Sequence, residues 1–378
     1  MSARRGKGEG SIYRRQDGRW VGAIDLGWEN GKRLRKHFYG KTRREVAQKL
    51  TEAVRRHQEG LRPARDDLTV AEFLDNWLMA ARGTVKQRTW KGYESYLRNH
   101  AVPALGRLRL SRLEPHHLQK LYADLVESGR SSTTAHHLHA VLHRALRQAE
   151  RWGHVPRNVA ALVDPPRMAR REMQTLSAPQ VRDLLDAASG DRLKTLYVVA
   201  VTTGMRQGEL LALRWRDVDL EQGVLRIRGN LQGGEIVEPK SAKSRRQIEL
   251  AATTVRSLRL HRQQQNRERL ALGAEWVDMD LVFANHVGRP LSPSNLVRRS
   301  FKPLLRRAGL PEIRFHDLRH TAATLLLSQG VHPKIVSEML GHSQISVTLD
   351  LYSHVTPTLQ RDAARAFDAL LGAEQMAP

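Results

Sequence analysis

Phe315-His316-Asp317-Leu318-Arg319-His320-Thr321-Ala322-Ala323-Thr324 is the stretch on which the reading of this chain turns. Leu340-Gly341-His342 follows it, and then Leu349-Asp350-Leu351-Tyr352-Ser353-His354. Apolar residues at helical intervals space these groups: Leu325, Leu326 and Leu327, then Ile335, Val336, Met339 and Leu340. A second island lies upstream, Thr202-Thr203-Gly204-Met205-Arg206-Gln207-Gly208-Glu209-Leu210.

Taken as a set, Arg206, a lysine of the intervening hairpin, His316, Arg319, His342 and Tyr352 suit attack on a phosphodiester. The nonbridging oxygens gain negative charge in that reaction, and each guanidinium offers a planar fork of donors matched to them. A tyrosine can be the nucleophile, but its phenol has a pKa of about 10 and needs help at neutral pH. Neighbouring cations favour the phenolate, and a histidine can take the proton. The departing 5′-oxygen needs a proton, which a nearby lysine can give. Spacing supports the grouping. His316 and Arg319 are one helical turn apart, and Glu209 stands one turn after Arg206, placed to hold its guanidinium by a salt bridge.

A metal reading competes. His316 and His320 have the i, i+4 spacing of helical zinc ligands, and His342 can supply a third. Asp317 stands where a zinc protease needs glutamate, however, and Arg319 sets a fixed cation beside the metal. Zinc also leaves Arg206, the hairpin lysine and Tyr352 without a purpose. The expectation is therefore a site with no metal and no cofactor, in which His320 packs or caps within its helix.

Composition narrows the partners. The 378 residues carry 63 Lys and Arg against 39 Asp and Glu, a formal charge of +24. Phosphate backbones and anionic membranes both attract such a charge. No apolar run reaches the roughly 18 residues of a membrane span, and the opening MSARRGKGEG lacks a signal-peptide core, so nucleic acid is favoured. The absence of cysteine removes disulfides and thiolate chemistry and suits a reducing cytoplasm.

Read in order, the chain begins with three strand patterns, Ser11–Arg15, Trp20–Leu26 and Arg33–Tyr39, separated by Asp17-Gly18 and Asn30-Gly31. Thr42 and Glu45 then cap a helix lined by Val46, Leu50 and Val54. Arg14, Arg15, Lys32, Arg33, Arg35 and Lys36 would let this sheet face a DNA groove, although a small solvated domain has the same composition. Leu61–Asp67 reads as a linker. Helices follow from Thr69 (with Val70, Phe73, Leu74, Trp77 and Leu78 as the stripe) and over Thr89–His100, Pro115–Glu127 and Ser132–Arg151. His136, His137, His139 and His143 read as a solvated or phosphate-facing surface of the last one. Gly153–Arg171 reads as a second linker. Beyond it, helices over Ser177–Ala188 and Arg192–Thr202 precede strands Val224–Arg228 and Arg246–Leu250, and the pattern is helical from Ala252 to Leu371.

The motifs TGMRQGELLALRW, HDLRHTAAT, LGH and the following tyrosine together resemble the signature of the tyrosine recombinases, the phage-type integrases. The resemblance is firm over Leu176–Leu371 and general over Thr69–Trp152. It implies a multidomain chain with three parts. These are a small β-sheet-plus-helix arm-type DNA-binding domain over 1–60, an all-α core-binding domain over 67–155, and a mixed, mainly α catalytic domain with a small β-sheet over 172–372. It implies Arg206, His316, Arg319 and His342 around the phosphate and Tyr352 as nucleophile, forming a 3′-phosphotyrosyl link. Lys240 falls at the family's general-acid position, with Lys243 as the competing lysine. A homotetramer on double-stranded DNA core and arm sites, helped by an excisionase or a host DNA-bending factor, is the implied assembly, on the nucleoid of a bacterial host. The C-terminal helix, with Leu359, Ala363, Ala366, Phe367 and Leu370, would dock on a neighbouring subunit. Two other readings stay open: a DNA-binding regulator that no longer cuts, and a topoisomerase-like enzyme with the same chemistry.

Overall fold

The computed structural model describes residues 10–29, 32–58, 68–168, 173–238, 245–342, 344–355, 364–365 and 367–369. The chain divides into two compact units, 1–171 and 172–378. The first unit opens with β1 (Ser11–Arg14), β2 (Trp20–Glu29) and β3 (Lys32–Gly40), an antiparallel meander in that order. Gly18 supplies the left-handed φ of +81° that the first turn needs; Asn30-Gly31 lies outside the described residues. β2 runs three residues further than its pattern suggested, because a bulge between Asp25 and Trp28 lets pairing continue to Glu29. Across one face lies α1 (Arg43–Gln58), with Val46 and Leu50 buried. The helix approaches closely at Gly22 and Gly40, where an added Cβ would come within 2.8 Å of Val46. On the opposite face Tyr13, Val21 and Tyr39 form one cross-strand row.

The same unit contains a helical bundle with its own core. α2 (Val70–Ala81) begins at a reciprocal capping box between Thr69 and Glu72, as the sequence indicated. α3 (Gln87–Tyr96) does not stop at His100: it runs through a π-turn at Leu97–Ala101 into α4 (Val102–Leu105). The Trp90 indole N–H donates to the Leu78 carbonyl at 2.7 Å and fixes α3 on α2. α5 (Pro115–Glu127) starts on its proline, and α6 (Ser132–Arg151) buries Ala135, Leu138, Val141, Leu142, Ala145, Leu146 and Ala149 as one stripe. Fully burying each large apolar side chain such as Phe73 or Leu138 stabilises by about 1.5–3 kcal/mol. Part of the expected linker belongs to this core. Val155, Ala160 and Val163 are buried, and Asn158 caps a 3₁₀ turn while donating to the His143 carbonyl at 3.0 Å. Proline marks the segment as non-helical, but non-helical chain can still be packed.

In the second unit, α7 (Ala178–Ala187) starts at the Ser177–Gln180 capping box. α8 (Lys194–Thr203) is apolar on nearly every side, as a central helix must be. One turn, α9 (Gln207–Leu211), leads to β4 (Val218–Asp219), β5 (Val224–Ile227), β6 (Asn230–Gln232), β7 (Glu235–Val237) and β8 (Arg246–Glu249). These make an antiparallel sheet β4-β5-β8 and a β6-β7 hairpin. α10 (Ala252–Leu272), α11 (Pro293–Asn295), α12 (Lys302–Arg307), α13 (Asp317–Ser328), α14 (Pro333–Leu340) and α15 (Ser346–Val355) complete the unit, with α10 and α13 against α8.

The helical pattern expected throughout from Ala252 is interrupted. Gly273, at φ +56°, ends α10, and residues 276–292 cross back as irregular chain tied by bridges Arg214↔Leu281 and Ala284↔Pro290. Asp280 holds φ +59° in this segment, stabilised where its carbonyl accepts from Trp215 N–H at 2.8 Å. Past α15, residues 364–365 and 367–369 are helical. Phe367 is exposed, and Leu359, Ala363, Ala366 and Leu370 lie outside the described residues. No helix among the described residues is long and apolar enough to cross a membrane.

Candidate active site

Gly204 is where the site begins. It ends α8 in the left-handed conformation (φ +60°), and an added Cβ would lie 2.3 Å from Leu340, so both backbone and space require glycine. The turn aims its carbonyl at Arg319, which donates through Nη1 at 2.8 Å. Arg206 follows in extended conformation as the residue capping α9. Its Nη1 donates to Glu209 Oε1 at 2.8 Å, and its Nη2 donates to the Gly341 carbonyl at 3.0 Å. The pairing of Arg206 with Glu209 is the one its spacing suggested.

Glu209 is buried and serves two arginines. Arg246, on β8, donates Nη2 to Glu209 Oε2 at 3.0 Å and Nε to the Met339 carbonyl at 2.6 Å. Burial alone would raise the Glu209 pKa; the Arg246 hydrogen bond and charge, with Arg206, outweigh it and hold the carboxyl below its usual range. The sequence reading passed over Arg246. Its signal was present, since Arg246 shares the inward face of β8 with buried Ile248.

Arg319, on the first turn of α13, is 3% exposed. Burial first, then the charges of Arg206 and Arg246, lower its pKa to about 9. Its Nη2 is buried and has no hydrogen-bond partner among the described residues. His316 stands just before α13, and its ring meets that of His320 edge-on at 5.1 Å. Burial, then His320 and Arg319, lower the His316 pKa to about 4. His342 follows Gly341, the left-handed cap of α14, and burial, then Arg319 and Arg206, lower it to about 4 as well. Both imidazoles are thus neutral near pH 7. His342 Nδ1 lies 2.8 Å from Thr348 Oγ1, on α15.

Arg206, the His316–Arg319 pair and His342, from three separate stretches of the sequence, therefore surround one region. Tyr352 lies on α15, four residues after Thr348 and so on the same helical face. Lys240 and Lys243 lie outside the described residues. Among those described, no group of three His, Asp or Glu side chains is disposed to hold a metal ion. What remains is a polar region, partly shut off from water, with guanidinium donors and neutral imidazoles, chemistry suited to a phosphate diester.

Residues 174–358 match the phage integrase family, and residues 69–126 match the phage integrase N-terminal SAM-like domain. The chain is 32% identical over 366 residues to a tyrosine recombinase XerC-like protein of Caldanaerobacter subterraneus subsp. tengcongensis, covering 90% of this chain and 93% of that one. It is 33% identical over 382 residues to an integrase of Streptomyces ambofaciens, covering 96% and 97%. In fold it is similar to the integrase of transposon Tn1549, solved with circular intermediate DNA (TM-score 0.67, 23% identity, 80% of this chain and 99% of that one). It is also similar to a lambda integrase dimer bound to a core site (TM-score 0.58, 21% identity, 90% and 94%). With the fold, the site geometry and this likeness along nearly its whole length in agreement, the chain belongs to the phage integrase family of tyrosine recombinases, enzymes that break and rejoin DNA at specific sites.

Proposed function

We propose that this chain integrates and excises a mobile element by two metal-free transesterifications at the region around Arg319. In the first, the Tyr352 oxygen bonds to phosphorus and the bond from phosphorus to the 5′-oxygen breaks. The phenol proton leaves to a histidine or water, and Lys240 gives a proton to the departing 5′-oxygen. The second step reverses these roles on a partner strand. Bond energy stays in the 3′-phosphotyrosine, so no nucleotide is consumed. Arg206 and Arg319 hold the nonbridging oxygens, with neutral His316 and His342 beside them. The observation that supports this most is the buried Nη2 of Arg319, unpartnered among the described residues. An uncompensated buried donor is costly, and an entering phosphate oxygen would satisfy it.

The division of labour we infer follows three parts: an arm-site module over 1–60, a core-binding bundle over 67–155 and the catalytic part over 172–372. Assembly as a homotetramer on two duplexes, with an excisionase or host bending factor, in the cytoplasm of a bacterial host, completes the reading. A plasmid carrying two core sites, selected from a randomised library by the protein itself, should be resolved into two circles. Relaxation without exchange would favour the topoisomerase-like alternative, and binding without cutting the regulatory one. A chain lacking the residues before Thr69 should still cut the core site yet lose the footprint on a second class of sites. Identical footprints would count against the arm-site role. Both forms should bind less tightly as salt rises, through counterion release.

The choice between the two lysines has its own test. A general acid matters only while the leaving atom is a basic oxygen. Lys240→Ala should cut a normal strand about 100-fold more slowly, yet cut a strand with sulfur at the bridging 5′ position at nearly the wild-type rate. Lys243→Ala should show only weaker binding on both strands. Rescue confined to Lys243→Ala would move the role along the hairpin.

A further inference from the structure

Thr348 is fully buried, yet it is a hydroxyl on the helix that carries Tyr352. Among the described residues its side chain has one hydrogen-bond partner, His342 Nδ1, and that nitrogen has no other. Burial first, then the charges of Arg319, Arg206, His320 and Arg246, hold the ring neutral, so only one of its nitrogens carries a proton. A phosphate oxygen only accepts hydrogen bonds. A neutral imidazole can therefore help hold a phosphate only if the nitrogen facing it, Nε2, bears the proton. Nδ1 must then be an acceptor, and its partner must donate. A carbonyl in the place of Thr348 Oγ1 would enforce the opposite tautomer and turn a lone pair toward the anion. A hydroxyl can donate.

We propose that Thr348 is a positioning residue that donates to His342 Nδ1 and so fixes the imidazole as an Nε2–H donor toward the scissile phosphate. The inference rests on the phosphate site described under Proposed function. It carries a consequence for control. Thr348 and Tyr352 are four residues apart on one face of α15, so seating the nucleophile's helix and setting the His342 tautomer are the same event. A subunit whose α15 is not seated lacks both the tyrosine and a correctly protonated clamp. The bond thus ties readiness of the nucleophile to readiness of the electrophile. Without that hydrogen bond the other tautomer becomes accessible, because the bond made by one ring nitrogen sets which of the two carries the proton.

The test uses the full-length chain labelled with ¹⁵N-histidine, with Thr348→Val, which keeps the branched shape and loses the hydroxyl, and Thr348→Ser, which restores it. Ring ¹⁵N shifts of His342 should show Nε2–H in the wild type and in Thr348→Ser, and a mixture of tautomers in Thr348→Val. On the self-selected core duplex, Thr348→Val should bind within about 3-fold of wild type and cut about 30-fold more slowly, less than the roughly 100- to 1,000-fold that losing a whole oxyanion donor costs. Thr348→Ser should recover most of the rate. A wild-type ring protonated on Nδ1, or undiminished cutting by Thr348→Val, overturns the proposal. The tautomer is read without DNA, so a wild-type chain that shows Nε2–H but never cuts would sink the reading of the phosphate site and leave the hydrogen-bond assignment standing.

Discussion

Tyr352→Phe should bind the core duplex within about 2-fold of wild type and lose covalent attachment to DNA by at least about 10,000-fold. One oxygen is removed, and every group proposed to surround the phosphate stays: Arg206 on Glu209 and Gly341, Arg319 on Gly204, and His342 on Thr348. Binding and chemistry therefore separate in this variant. The assay is a denaturing gel of protein with a nicked suicide duplex, whose released fragment cannot re-ligate. His354 is the other candidate nucleophile nearby in sequence. A phosphohistidine is acid-labile, whereas a phosphotyrosine survives acid, so acid treatment of the wild-type adduct identifies the residue. An adduct formed by Tyr352→Phe would refute the assignment.

Residues near in sequence made much of this protein legible before any coordinates. The Thr69–Glu72 capping box, the stripe of α2 and the Arg206–Glu209 pair are local, and each appears where spacing put it. What escaped notice is non-local. Arg246 reads as one more basic residue of a hairpin, and only the fold sets it against Glu209, 37 positions away, and the Met339 carbonyl, 93 away. Thr348 reads as a helix-surface threonine until α15 is laid beside His342. The irregular run 276–292 was hidden for another reason. Its apolar residues, such as Leu281, Val282 and Phe283, are buried as they would be on a helix, but through backbone bridges that leave no 3.6-residue period.

The same geometry predicts that Arg319→Met will be at least as stable as wild type while cutting about 1,000-fold or more slowly. The signs follow from burial. A base whose folded pKa is depressed is penalised while charged. The Arg319 pKa falls to about 9, through burial first and then Arg206 and Arg246, so below that pH the folded protein keeps a proton at a cost the unfolded chain does not bear. Each unit of depression corresponds to about 1.4 kcal/mol. Methionine fills much of the same volume, removes that cost, and gives up the bond to the Gly204 carbonyl, worth about 1 kcal/mol net. The charge term is the larger, so the melting temperature should hold or rise near pH 7. Function moves the other way, because Nη2, which has no partner among the described residues, is the donor left for a phosphate oxygen. Inorganic phosphate should accordingly raise the melting temperature of wild type more than that of Arg319→Met. A variant that melts well below wild type would show that the buried charge is already compensated inside the protein, and equal protection of both by phosphate would remove Arg319 from the anion site.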